Sequence, residues 1–296
     1  MRIASLVPAA TEILFALGVG EDVVAVSHEC DFPAAAEDVP RVTHALLPEG
    51  LEAAELDRAV RELSAEGRAI YGLDESRLRA LAPELIVTQG LCTVCAISLD
   101  EVQELAARMD PIPQVVPLSP TTFGEVLGDL HTVARAIDAK GTGVDVIRAV
   151  ADRVDRVRLS VRDVRPVRVA ALEWLEPVYV AGHWIPQLIE YAGGDDVSGF
   201  PGQPSEVSSW EELALAAPEV VVVMPCGYDA ERALEEAETY ADELAELGAR
   251  RIVAVDASAF FSRPGPRLVD GLETLAHVLH PERFPQAPTP VLEVLL

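Results

Sequence analysis

Two of the four cysteines share one short stretch, Cys92-Thr-Val-Cys95, and the other two, Cys30 and Cys226, also stand just past apolar runs. A thiolate is both a soft metal ligand and a nucleophile, and a thiol is also a small apolar side chain, so several chemistries are open. A lone C-x-x-C, with no second pair and no H-x-x-H at ribbon spacing, is a weak signal for structural zinc. Dithiol exchange needs the pair at a helix N-terminus, and here Ser98 reads as the cap, just past Cys95. One soft-metal site formed by Cys30, Cys92, Cys95 and Cys226, with His28 as a weaker donor, is therefore an alternative to packing. A further alternative uses one thiol as nucleophile, with His183 as base and Glu173 as its orienter. His44, His131, His277 and His280 have no partners at motif spacing and read as structural. Walker A, G-x-S-x-G and H-E-x-x-H motifs are absent from the sequence.

Short apolar runs alternate with amphipathic stretches, and this alternation must position those residues. Ile3–Val7, Val23–Val26, 85–88 and Gln114–Leu118 read as strands; Thr11–Leu17 and the stretch opened by the Ser98-Leu-Asp-Glu101 capping box read as helices. The pattern restarts with strands at Pro166–Leu172, Val220–Met224 and Arg251–Asp256. Helices are expected over Trp184–Tyr191, Asp229–Leu247 and Pro264–Leu279. Between the halves, 122–164 holds no strand and reads as helix, broken at Gly141-Thr-Gly143. Regular strand–helix alternation implies an α/β fold with a mainly parallel sheet. The stretch 81–90, LAPELIVTQG, is echoed by 216–227, AAPEVVVVMPCG, which suggests two similar halves.

Ligands of open α/β sheets bind beyond the carboxyl ends of the strands. The segments expected there hold Pro8; His28, Cys30 and Phe32; Gly90, Cys92 and Cys95; Glu173 and Trp174; His183 and Trp184; Cys226 and Tyr228; and Phe261 with Arg263. All four cysteines fall in this set.

Half of the 296 residues are hydrophobic and 24% are charged, the balance of a globular chain. No apolar run approaches the roughly 18 residues of a membrane span, so membrane insertion is not expected. The formal charge of −26 repels phosphate backbones and argues against nucleic acid as a partner. Met1-Arg2 leads straight into a strand-like run without a signal-peptide pattern. The chain as it stands is expected in the cytosol; the alternative is an exported protein whose signal has been removed.

The opening, RIASLVPAATEILFALGVGEDVVAVSHECDFP, resembles that of the cobalamin- and siderophore-type substrate-binding proteins of ABC importers. The resemblance continues through LAPELIVTQG, EWLEPVYVAGHWIPQLIEYAGG, VSSWEELALAAPEVVVVMPCG and SRPGPRLVDGLETLA. It implies two Rossmann-like α/β lobes joined by a long rigid helix, with a ligand cleft between them. The matching boundaries are an N-terminal lobe over 1–121, a helical strut over 122–164, a C-terminal lobe over 165–280 and a proline-rich surface tail over 281–296. By this resemblance the loops named above face the cleft, their aromatics stack on a large flat ligand, and Arg263 meets its polar edge. The implied function is non-enzymatic binding of a corrinoid or similar metal chelate by a monomer, with an ABC permease as a possible partner. No obligatory cofactor is implied; a corrinoid or soft metal ion would be the ligand. The missing signal and the cysteines depart from the family's usual pattern.

Overall fold

Four runs too short for helices, and apolar enough to be covered on both faces, form the parallel sheet of the first unit. The computed structural model describes residues 1–296 apart from 49, 52, 67 and 92–96, so Cys92 and Cys95 lie outside the described residues. In chain order the elements are β1 (Ile3–Ser5), α1 (Pro8–Ala16), β2 (Val23–Val26), β3 (Thr43–Ala45), α2 (Ala53–Ala65), β4 (Tyr71–Leu73) and α3 (Glu75–Leu81). They continue with β5 (Leu85–Gln89), α4 (Leu99–Ala107), β6 (Gln114–Leu118) and α5 (Phe123–Ala136). The sheet order is β2-β1-β5-β6 and every pairing is parallel. Successive side chains leave opposite faces, as a period of two demands. Ile3, Leu85 and Val87 meet Ile13, Leu14 and Leu17 of α1 and Leu130 and Val133 of α5. Ala4, Leu6 and Ile86 meet Leu78 of α3 and Val102 and Leu105 of α4. β3 and β4 form a separate antiparallel ribbon.

Met1–Pro120 with Glu125–Ile147 make up this first unit, and Thr121–Gly124 with Arg148–Leu296 the second. The division falls inside two helices, in the first turn of α5 and within α6 (Lys140–Val161). The break expected at Gly141-Thr-Gly143 is not there: these residues form the first turn of α6. The break comes earlier, at Asp138, whose φ is +57°. Gly143 serves close packing instead, since a Cβ on it would stand 2.5 Å from the Ala134 side chain.

The second unit continues with β7 (Val167–Leu175), β8 (Val178–Val180), α7 (Ile185–Tyr191), β9 (Gly194–Asp196), β10 (Glu206–Val207), α8 (Trp210–Ala216) and β11 (Val220–Val223). After these come α9 (Ala230–Thr239), α10 (Ala241–Glu246), β12 (Arg251–Val255), α11 (Ala257–Phe260), α12 (Leu268–Leu279) and β13 (Val291–Glu293). The expected helix over Asp229–Leu247 is two helices that meet at Tyr240. The sheet runs β10-β8-β7-β11-β12-β13, with β9 also on β7. β7, β9, β11 and β12 are parallel, β8 and β13 run antiparallel to them, and β10 pairs antiparallel with β8. The proline-rich tail therefore supplies a sheet strand.

The sequence echo has a shared physical basis. α3 ends at Ala82 (φ +42°, ψ +61°) and α8 at Ala217 (φ +45°, ψ +63°), each left-handed before Pro-Glu and a strand. Arg2 donates to the Leu81 carbonyl at the end of α3, and Arg168 donates to the Ala216 and Ala217 carbonyls at the end of α8. The following glutamates, Glu84 and Glu219, each accept from the backbone amide of that arginine. Each cap thus satisfies carbonyls that a helix end leaves bare.

A left-handed alanine costs roughly 1 kcal/mol that glycine does not. Ala82→Gly and Ala217→Gly should each stabilise the fold by about 0.5–1 kcal/mol, seen as a higher urea midpoint at unchanged slope. Arg153 of α6 grips Glu273 through Nε (2.9 Å) and Nη2 (2.7 Å) and also holds Asp270 of α12. Arg153→Ala leaves two carboxylates facing each other and should cost about 1–2 kcal/mol. Arg153→Lys should recover only part of that loss, because an ammonium cannot reproduce the two-pronged grip.

Candidate functional site

Parallel strands deliver their following segments to one edge of each sheet, and many of the residues singled out in the sequence lie there. Glu173 and Trp174, expected in a loop, instead lie inside β7, at its irregular pairing with β8, and His183 and Trp184 follow the antiparallel β8. In the first unit, Pro8 occupies the start of α1, where its missing N–H has no helical partner to lose. Ser5 Oγ and Thr11 Oγ1 are 2.7 Å apart, and Thr11 Oγ1 donates to Cys30 Sγ at 3.0 Å. Cys30 is fully buried in the apolar cluster with Val7, Ala10 and Val26. It packs as a small core residue. His28 is anchored: its Nδ1 lies 2.7 Å from Thr43 Oγ1, and its ring meets Tyr71 edge-on at 4.9 Å. Burial lowers its pKa against the opposing pull of Glu29. Tyr71 in turn donates to Glu29 Oε1 at 2.7 Å. Phe32 is exposed. Gly90 donates its amide to the Leu118 carbonyl at 2.8 Å, and a Cβ there would stand 2.8 Å from Ser119 Oγ.

In the second unit the end of β7 and the segments after the neighbouring strands are tied to one another. Cys226 N donates to the Glu173 carbonyl (3.2 Å), and Ser258 N to the Tyr228 carbonyl (3.0 Å). The Glu173 carboxylate accepts from Ser205 Oγ and from the Gly182 amide. His183 adopts the left-handed region, φ +52°. Its amide donates to the Gln203 carbonyl, and its carbonyl accepts from Gly202 N. Burial lowers the His183 pKa, so the imidazole is neutral near pH 7. Trp174 is part-exposed, with its ring edge-on to Tyr228 at 5.5 Å. Arg263 reaches Ser258 Oγ at 3.4 Å; burial raises the pKa of Asp256, and the charge of Arg263 opposes that rise in part.

Three residues expected to stack on a ligand are buried in this structure. Trp184 is 6% exposed and donates its Nε1–H to the Phe261 carbonyl at 2.8 Å. Phe261 is 1% exposed, with its ring against Gly271 of α12. Tyr228 is also buried, under the Arg232 guanidinium, 3.8 Å from its ring centre. The exposed aromatic on this unit is Phe200, at 71%, which sequence reading passed over. It follows β9 in a segment marked only by Gly199 and Pro201-Gly202. Ser205, Asp196 and Tyr71 were missed as well, since nothing local announces a partner 32 or 42 residues away.

The thiol chemistries find no geometry among the described residues. No three His, Cys, Asp or Glu side chains come together there as a metal-binding group. Cys226 is exposed, and Glu173 engages Ser205 and Gly182 instead of orienting His183.

Burial, with the charge of Asp196, raises the Glu173 pKa from 4.5 to about 7 against the pull of its two hydrogen bonds. The folded chain therefore keeps a proton that the unfolded chain has released. Stability is unpenalised below pH 4.5 and is lost as the pH rises through 7, by at most about 3 kcal/mol. Glu173→Gln, which carries no charge, should melt roughly 3–6 °C above the wild type at pH 8.5. The difference should vanish by pH 4.5, as read by calorimetry across that range.

Residues 3–255 match the family described as periplasmic binding protein. The vitamin B12-binding protein of Vibrio cholerae serotype O1 is 22% identical over 283 residues, covering 94% of this chain and 88% of that protein. Among solved structures, a periplasmic heme-binding protein from Pseudomonas aeruginosa superposes with a TM-score of 0.71 at 16% identity, covering 100% of this chain and 98% of that one. An ABC transporter substrate-binding protein from Listeria monocytogenes gives 0.68 at 16% identity, covering 94% and 98%. These likenesses agree with an α/β fold of two lobes joined by a long helix. Because the family model spans most of its length, the chain belongs to the periplasmic binding protein family, whose members bind ligands and are not enzymes.

Proposed function

We propose that the chain binds a flat metal chelate of the B12 or heme class, with a corrinoid as the first candidate, and passes it unchanged to an ABC permease. The observation that carries this reading is the likeness to a vitamin B12-binding protein across 94% of the chain. The chemistry at the carboxyl ends of the strands supports it. In the second unit Trp174 and Phe200 offer apolar faces suited to a planar ring, and Arg263 offers a cation suited to its polar edge. The anchored segments of the second unit lower the ordering cost of binding. The protein is read as a monomer, and the family's description supports the exported alternative over a cytosolic location.

Titration calorimetry with cyanocobalamin, aquocobinamide and hemin should give saturable, stoichiometric binding of at least one, with Kd below about 10 μM. A ferric hydroxamate serves as the non-planar comparison. Heat traces at the dilution baseline for all three planar chelates would overturn the reading. Trp174→Ala should weaken the interaction by about tenfold through lost stacking area.

A further inference from the structure

Three segments of the second unit converge on Glu173. Its side chain accepts from the Gly182 amide in the β8–α7 turn and from Ser205 Oγ in the segment leading to β10, while its carbonyl accepts from Cys226 N after β11. The first two segments also fit closely against each other. A Cβ on Gly182 would stand 2.4 Å from Ser205 N, and one on Gly199 would stand 2.1 Å from the Ala181 carbonyl oxygen. The two backbone bonds of His183 to Gln203 and Gly202 close the same seam. Asp196 Oδ1 fixes the approach by accepting from Ser198 N, Ser198 Oγ and Gly199 N. Its Oδ2 is buried with no hydrogen-bond partner. Phe200 lies between these two anchorages, and its carbonyl accepts from Gln203 N at 3.2 Å.

We infer that Glu173 is the positioning residue of this surface: its side chain sets where the 182–184 and 197–205 segments present His183 and Phe200 to the bound chelate. This rests on the chelate-binding reading above. Glu173 acts through its neighbours and not by contact with the ligand. The contact is open to protons. The groups that face it are Asp196 from β9, the Ser205 hydroxyl, the Gly182 amide with the neutral His183 beside it, and the Cys226 amide from the β11 side. Asp195, next to Asp196, lies 4.0 Å from Arg168. Among the described residues no cation lies within ion-pair distance of the Glu173 carboxylate, so its charge is opposed by burial and by Asp196. A chelate laid over this surface deepens the burial and favours the protonated form.

The test compares wild type, Glu173→Gln and Glu173→Ala between pH 6 and 8.5, with hemin and aquocobinamide as probes and far-UV circular dichroism as the check on folding. Wild-type affinity should fall by about fivefold or more as the pH rises. Glu173→Gln should hold the pH 6 affinity across the range, and Glu173→Ala should bind about tenfold more weakly throughout. A Glu173→Gln profile that still falls as in the wild type, or a Glu173→Ala protein that binds like the wild type, overturns the inference. The emission of Trp174, the next residue, gives a readout without ligand. It should show a step near pH 7 in the wild type that is absent in Glu173→Gln; a step that survives the substitution overturns the positioning role. If the wild type binds neither probe while that step behaves as expected, the chelate reading falls and the loop-positioning role stands.

Discussion

Parallel strand pairing is the constraint on which the rest of this chain depends. A parallel neighbour cannot be reached by a tight turn, so each connection must cross a face of the sheet and return to the starting edge. In the first unit this places the ends of β1, β2 and β5 together, and in the second the ends of β7, β11 and β12. The crossing helices cover both faces, which is why the strand interiors are short valine, isoleucine and leucine runs. The carboxyl edges are left to loops, where polar and aromatic side chains can be offered to a ligand. Glu173 occupies the point in the second unit where the loop-bearing edge meets the antiparallel excursion through β8 and β10.

Arginine does a particular job in this acidic chain. Of 23 basic residues only Lys140 is lysine. Arg2, Arg79, Arg168, Arg251 and Arg283 all place guanidinium protons on carbonyls at or next to helix C-termini. A helix C-terminus is the negative end of its dipole and carries unpaired acceptors, so a planar cation answers both needs at once. Five of the 23 basic residues are therefore engaged in closing helix ends.

Periodicity, together with the Ala-Pro-Glu echo, made the alternating layers legible, because buried strands and capped helices leave strong local marks. β8, β9 and β10 were not legible: they are two or three residues long, and their pairing depends on β7, to which nothing local refers. The site was legible in position more than in role. The strand expected to end at Leu172 runs on to Leu175 and takes Glu173 and Trp174 with it, and sequence does not say which side of a segment a ring takes. Trp184 and Phe261 turned inward, where an indole N–H could meet a carbonyl, while Phe200 stayed out. Cys30 had the chemistry of a ligand and the volume of a core residue, and it is buried in the apolar cluster with Thr11 Oγ1 on its sulfur.

The last strand has a consequence for handling the protein. β13 pairs antiparallel with β12 through Val253, Ala254 and Val255, so the tail beyond Pro281 is the cover of an otherwise open edge. Cutting it away would expose a row of unpaired backbone groups on an Ile-Val-Ala-Val strand, a ready template for a second chain. Trimming that looks harmless by composition would open a sheet edge to aggregation.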